Sequence, residues 1–147
     1  MGKNHLTGTE GEKEVIEKVR CPNCGQQLMS LPPSYPLFDV QCTACLFRAQ
    51  IKTSTSKPGG KIMGATGTIM NYYIKAGQII PPLIVNHKWD GGQEIRFYPF
   101  VPKENLKFRQ LSPTAIRANL KMFDYSGLNT VPYFVLFPPG KSNNREV

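Results

Sequence analysis

The four cysteines of this chain stand in two close pairs, Cys21 and Cys24 in "CPNCG" and Cys42 and Cys45 in "CTAC", with seventeen residues between the pairs. That spacing is the one expected of a four-thiolate zinc site. Each C-x2-C supplies two ligands from a single tight turn. Four thiolates around Zn²⁺ leave no open position for a substrate, so the expected role is structural. Disulfides are the alternative, but paired cysteines in a basic chain that does not begin with a secretory leader favour metal.

The second pair has chemically active neighbours in "FDVQCTACLFRAQIK", Phe38 to Lys52. If Cys42 and Cys45 close an antiparallel hairpin, paired positions sum to 87 and Asp39 faces Arg48. Side chains alternate with period two, so Asp39, Arg48, Gln50 and Lys52 share one face, while Phe47, Ala49 and Ile51 take the other. Asp39 and Gln50 become diagonal neighbours, ~7–8 Å apart, and two such oxygen-bearing groups can share one divalent cation. Carboxylate, second oxygen ligand and lysine are the parts of metal-assisted phosphodiester hydrolysis. Mg²⁺ takes one or two protein oxygens and keeps waters, and a lysine can orient the attacking water or stabilise charge on the phosphate. A merely solvated strand face is the plainer alternative.

These groups need elements to hold them. Val15, Ile16 and Val19 form one stripe in "EGEKEVIEKV", which predicts a short amphipathic helix from Glu10 to Val19 after a loose start at residues 1–8. Residues 37–41 and 46–53 read as strands, and "TSTSKPGGK" as a flexible basic loop. Met63 to Gly77 reads as mostly helical, with Gly77 as its stop. Three strands follow in "IIPPLIVNHKW", "QEIRFYPFVP" and "VPYFVLF", with Asp90-Gly91-Gly92 as a hairpin turn. "LSPTAIRANLKMF" reads as a helix capped by Ser112 with Pro113 in its first turn. The expected organisation is one zinc-containing domain over residues 9–139 and a polar tail at 140–147. Its class is α/β, a mixed sheet of about five strands flanked by helices.

Hydrophobic residues at 40% and charged residues at 19% suit a globular chain. No apolar run reaches the ~20 residues needed to cross a bilayer. Gly2 invites a myristoylation reading, but the sixth residue is Leu6 rather than Ser or Thr. A cytoplasmic location is expected. Lys and Arg number 18 against 10 acids, a net charge of +8, which favours nucleic acid as partner. Nothing resembles a dinucleotide or P-loop phosphate fingerprint.

Taken as islands, the chain resembles the DpnI-type nucleases, which include the Dam-replacing proteins and belong to the PD-(D/E)xK superfamily. "GEKEVIEKVRCPNCG" is similar to the family's first helix and first zinc pair, with Glu12 at a family glutamate. "FDVQCTAC" matches an Asp three residues before the second zinc pair, and "QIKT" falls at the Glu-x-Lys position. "FVPKENL" and "LSPTAIRA" resemble a later Pro-Lys strand and a helix start. The resemblance runs from about Gly11 to Phe137. It implies a PD-(D/E)xK-like fold with an embedded zinc knuckle and cleavage of double-stranded DNA dependent on Mg²⁺ or Mn²⁺. Asp39 and Gln50 are then the cation ligands and Lys52 the catalytic lysine. It also implies restriction governed by adenine methylation. Two departures stand out: the family's glutamate is Gln50 here, as in the Gln-x-Lys of Mrr-like enzymes, and the expected domain lacks the family's C-terminal winged helix.

Further candidates surround this set. Glu12 could add a carboxylate from the first helix, and Glu14 is a weaker candidate. Lys57 and Lys61 flank Gly59-Gly60 after the catalytic strand, where lysines suit backbone phosphates. Arg117 and Lys121, four apart on the last expected helix, could also reach DNA. His87 and the aromatics of "NYYIK" and "FYPF" read as structural. Double-strand cleavage needs two active sites or sequential nicks, so a homodimer or a separate specificity subunit is an expected partner. A non-catalytic zinc module that binds DNA is the competing reading, and a nuclease for RNA or single strands a third.

Overall fold

The first helix, α1, runs from Gly2 to Lys18, eight residues longer at its start than the apolar stripe alone predicts. Its packing face is the predicted one: Val15 and Val19 are buried, and Val19 N–H closes the last turn on the Val15 carbonyl at 2.9 Å. Lys18 in the final turn complements the negative end of the helix dipole. The computed structural model describes residues 2–33, 35, 37–59, 63–66, 76–77, 80–102, 107–109, 121–124, 128 and 130–138. The polar tail at 140–147 lies outside them.

Nine strands follow: β1 (Leu28–Ser30), β2 (Val40–Cys42), β3 (Arg48–Ser54), β4 (Met63–Thr66), β5 (Leu83–Trp89), β6 (Gly92–Tyr98), β7 (Lys107–Arg109), β8 (Lys121–Asp124) and β9 (Phe134–Phe137). Six form a sheet in the order β1-β2-β3-β5-β6-β9, and β4-β8-β7 form a second sheet. In the larger sheet only β3 and β5 run parallel, and a parallel neighbour demands a long crossover. The class is therefore mixed α/β, as expected, with one helix among the described residues.

Strand parity gives the larger sheet two apolar layers. Ala49, Ile51, Ile84, Ile95 and Phe97 join Val15 and Val19 of α1 in one core. Leu83, Val85 and Tyr98 face the other way, toward Ile80, Val101, Leu128, Val131 and Tyr133. Alternate residues of β5 enter different cores, so this strand is buried on both faces and reads as a continuous apolar run.

The predicted turn after β5 is realised in two residues, Asp90 and Gly91, with Trp89 opposite Gly92. Gly91 has φ of 100°, the left-handed region such a hairpin turn requires and a residue without Cβ enters freely.

Two expected helices are corrected. Met63–Thr66, the start of the first, is β4, while Gly77 does end its segment in a turn with φ of 74°. Lys121–Asp124, the end of the second, is β8; its Arg117 and residues 111–120 lie outside the described residues. Met63 pairs with Asp124 and Thr66 with Lys121, sixty-one and fifty-five positions away. Pairing at such distance overrides local helical preference, which is weak in "MGAT" with its Gly and Thr.

Gly11 sets how closely α1 approaches the sheet. A Cβ there would collide with the Thr53 side chain of β3, and Asn86 Nδ2 donates to the Gly11 carbonyl at 3.2 Å. We expect Gly11→Val to cost about 1–3 kcal/mol by overpacking, measurable by denaturant titration, because α1 must back away from β3. Among the described residues no helix is long and apolar enough to cross a membrane.

Candidate functional site

The two cysteine turns converge. All four Sγ atoms lie within 4.8 Å of one another, with Cys21 and Cys45 at 3.6 Å and Cys24 and Cys42 at 3.4 Å. Tetrahedral Zn–S bonds of ~2.3 Å would set sulfurs just under ~4 Å apart, so the cluster has the dimensions of a zinc site. None of the four is in a disulfide. Both turns also aim N–H groups at sulfur. Asn23 N–H donates to Cys21 at 3.3 Å, Ala44 N–H to Cys42 at 3.2 Å, Phe47 N–H to Cys45 at 3.5 Å and Asn23 Nδ2 to Cys45 at 3.3 Å. Such donors stabilise thiolates rather than thiols, and metal-bound cysteines are thiolates. Cys21, Cys24, Cys42 and Cys45 could together hold one zinc ion.

The hairpin they close has a different register from the expected one. Val40 pairs with Ala49 and Gln41 with Arg48, so paired positions differ from the expectation by two. The reason is the turn itself: Cys42 N–H reaches the Phe47 carbonyl at 2.9 Å, and the intervening residues are spent presenting amides to sulfur. Gln50 and Lys52 leave β3 on one face whatever the register, because residues two apart in a strand share a face.

Asp39 differs more. It sits at a bend before β2 rather than inside the ladder. Its N–H donates to the Ala49 carbonyl at 2.9 Å, and its Oδ2 accepts the Ile51 N–H at 2.7 Å. The carboxylate thus takes the place of a backbone acceptor and grips β3 on both sides of Gln50. Oδ1 makes no hydrogen bond to a described residue.

Beyond this point β3 pairs with β5 through residues 50–54, while among the described residues no strand pairs with that stretch on the β2 side. At that edge Glu12, Asp39 and Lys52 come within range of each other's charge. Burial first and the Asp39 charge second push the Glu12 carboxyl up to about 7, against the opposing charge of Lys52. Asp39 is likewise raised by burial, against the Ile51 N–H and Lys52. Burial lowers Lys52, while both carboxylates hold it up. Gln50 is buried beside them, its N–H fixed to the Pro82 carbonyl at 2.9 Å.

A pH consequence follows from the raised Glu12. Between about 4.5 and 7 the folded chain holds a proton the unfolded chain has released, so this group's contribution to stability falls as pH rises across that window. Without added divalent cation, melting temperatures of the wild type should decline relative to Glu12→Gln from pH 4.5 to 7.

Glu14 is not part of this cluster. It accepts from Lys88 Nζ at 3.0 Å, Asn86 Nδ2 at 3.2 Å and Gln93 Nε2 at 3.4 Å, a network that pins α1 to β5 and β6. His87 is buried, with Nδ1 3.1 Å from the Ser56 carbonyl, in keeping with a structural role. Lys57 is exposed just beyond β3, Lys61 and Arg117 lie outside the described residues, and Lys121 belongs to the smaller sheet. Two groupings escaped the sequence reading. Glu94 and Arg96 form a buried ion pair on the Lys52 face, with the guanidinium 4.0 Å over the Tyr133 ring. Tyr35 and Phe38 gather on Arg48. The Glu-x-Arg alternation was legible as one strand face, but nothing local reveals that this face is covered.

The chain matches no protein-family model and no curated protein.

Proposed function

We propose that this chain is a zinc-stabilised DNA endonuclease that hydrolyses phosphodiester bonds with Mg²⁺ or Mn²⁺. The observation carrying this reading is that Asp39, bonded to Ile51 N–H, and Glu12, next to Gly11 where α1 meets Thr53, both lie within charge range of Lys52 at an edge of β3 that pairs with no other described strand. Asp39 Oδ1 and the Gln50 amide oxygen would hold the cation, with Glu12 as a further carboxylate. Bound there, the cation supplies Lewis-acid stabilisation of phosphate charge and an activated water. Lys52 would orient that water and offset the charge that builds on phosphorus oxygens. Its burial lowers its affinity for a proton, and the Asp39 and Glu12 charges offset part of that lowering. The four cysteines and their zinc would clamp the hairpin that carries Asp39 and β3, since catalytic geometry tolerates only ~0.5 Å of slack. The PD-(D/E)xK likeness and a net charge of +8 point the same way.

The experiment is cleavage of supercoiled plasmid with Mg²⁺ or Mn²⁺, using DNA with and without adenine methylation. Nicked or linear product is expected; DNA binding with no product under any condition would overturn the reading. Gln50 favours the second reading, a non-catalytic zinc-containing DNA-binding module or partner subunit, because an amide adds no charge to a cation site. Gln50→Glu separates the two: we expect half-maximal cleavage at about tenfold lower Mg²⁺, as one added carboxylate strengthens a hard-cation site.

A further inference from the structure

Arg48 stands two residues before Gln50 on β3, so its side chain leaves the same face about 6.7 Å further along the strand. Successive phosphates of one strand rise ~3.4 Å along the helix axis and lie further apart through space, so a side chain at this separation can reach a phosphate neighbouring the one at Gln50. Arg48 is exposed, yet it is held. Its Nε donates to Oε1 of Gln41, its cross-strand partner, at 2.9 Å. The guanidinium carbon lies 5.6 Å from the Tyr35 ring centre and 5.9 Å from that of Phe38. Nε is thereby occupied, while the Nη pair, a fork that can bind phosphate with two parallel bonds, makes no hydrogen bond to a described residue. Among the described residues no carboxylate pairs with Arg48, whereas Lys88 and Arg96 each have one.

An exposed guanidinium held by Gln41, with no carboxylate partner among the described residues and two positions along the strand from a candidate hydrolytic site, offers an anion a preset contact. The geometry points to Arg48 as the residue that grips the backbone phosphate next to the scissile one, positioned by Gln41, Tyr35 and Phe38. This rests on the endonuclease reading and specifies how the site holds its substrate strand. Arg48 makes no claim on sequence, because phosphate contacts carry none directly. Gln41 acts only through Arg48 and is a positioning residue.

The test uses the full zinc-loaded chain and a mixed-sequence DNA duplex. Binding is measured on a Lys52→Ala background with Ca²⁺, and cleavage on the otherwise wild-type chain with Mg²⁺. Arg48→Gln should weaken binding about tenfold and reduce the slope of log Kd against log salt by about 0.9, the loss of one neutralised phosphate. KM should rise about tenfold with a far smaller change in kcat. Gln41→Ala, which frees the guanidinium but keeps its charge, should weaken binding by a lesser factor and leave the salt slope unaltered. A methylphosphonate at the phosphate adjacent to the cleaved bond should weaken binding by the Arg48 chain and make no difference to Arg48→Gln. Cleavage by the wild type together with an unchanged salt slope and KM in Arg48→Gln would overturn the Arg48 assignment alone. Equal losses in melting temperature and kcat with the slope unchanged would also overturn it, marking Arg48 as a pin for the Tyr35 loop. Absence of any cleavage by the wild type would instead remove the endonuclease reading.

Discussion

Lys52→Met should reduce Mg²⁺-dependent plasmid cleavage by ~10²–10³-fold, the usual cost of deleting one group that stabilises transition-state charge. Methionine keeps the buried stem of the lysine and removes only the ammonium, so zinc content and circular dichroism should stay as in the wild type. The partner variants at Asp39 sharpen the result, because this carboxylate has two duties. Asp39→Asn retains an oxygen that can accept the Ile51 N–H, now bonded at 2.7 Å, and loses only the negative charge. Asp39→Ala loses both and leaves the Ile51 N–H without its acceptor, a further ~1–3 kcal/mol of stability for a buried donor. Both should be inactive, but only Asp39→Ala should melt early. Full cleavage by Lys52→Met or Asp39→Asn would exclude a hydrolytic role for this edge of β3.

The second large effect concerns the cysteine cluster. Metal analysis should find about one zinc per chain, and Cys42→Ser or exhaustive chelation should abolish cleavage while also loosening the β2–β3 hairpin. Structural zinc contributes on the order of 10 kcal/mol in small zinc folds. Here the loss should be local, since the core around Leu83, Val85 and Tyr98 contains no cysteine. Cys21 and Cys42, by contrast, are themselves members of the core under α1, alongside Val40, Ala49 and Ile51. Hydrogen exchange should therefore accelerate most over residues 21–52 and less in β5 and β6, whose Ile84, Ile95 and Phe97 share that core while Leu83, Val85 and Tyr98 do not. A metal-free chain that remains folded in this hairpin and cuts DNA as fast as the zinc form would refute the clamp.

The parts of the molecule that sequence expressed plainly are those governed by short-range rules. The C-x2-C pairs announced a four-sulfur cluster because ligand chemistry restricts spacing. Alternation placed Gln50 and Lys52 on one face of a strand, and a register two positions from the expected one leaves this untouched, because residues two apart in one strand always share a face. The Asp90-Gly91 turn followed from one residue's freedom to take positive φ. Where the expectation failed, at Met63–Thr66 and Lys121–Asp124, the deciding interaction was a ladder between segments more than fifty residues apart. No window of neighbouring residues contains that information.

The same division runs through the candidate site. Residue types and spacing determined a four-cysteine cluster that could hold zinc, a lysine and an amide on one strand face, and an aspartate just ahead of the second cysteine pair. Only the tertiary structure decided that Asp39 leaves the ladder and bonds Ile51 through its side chain. It also decided that Gly11 lets α1 close on β3 tightly enough for Glu12 to feel Asp39 and Lys52. The burial that raises Glu12 and lowers Lys52 is a property of packed neighbours from three separate segments. Charge and desolvation depend on distance in space, and sequence separation does not encode it.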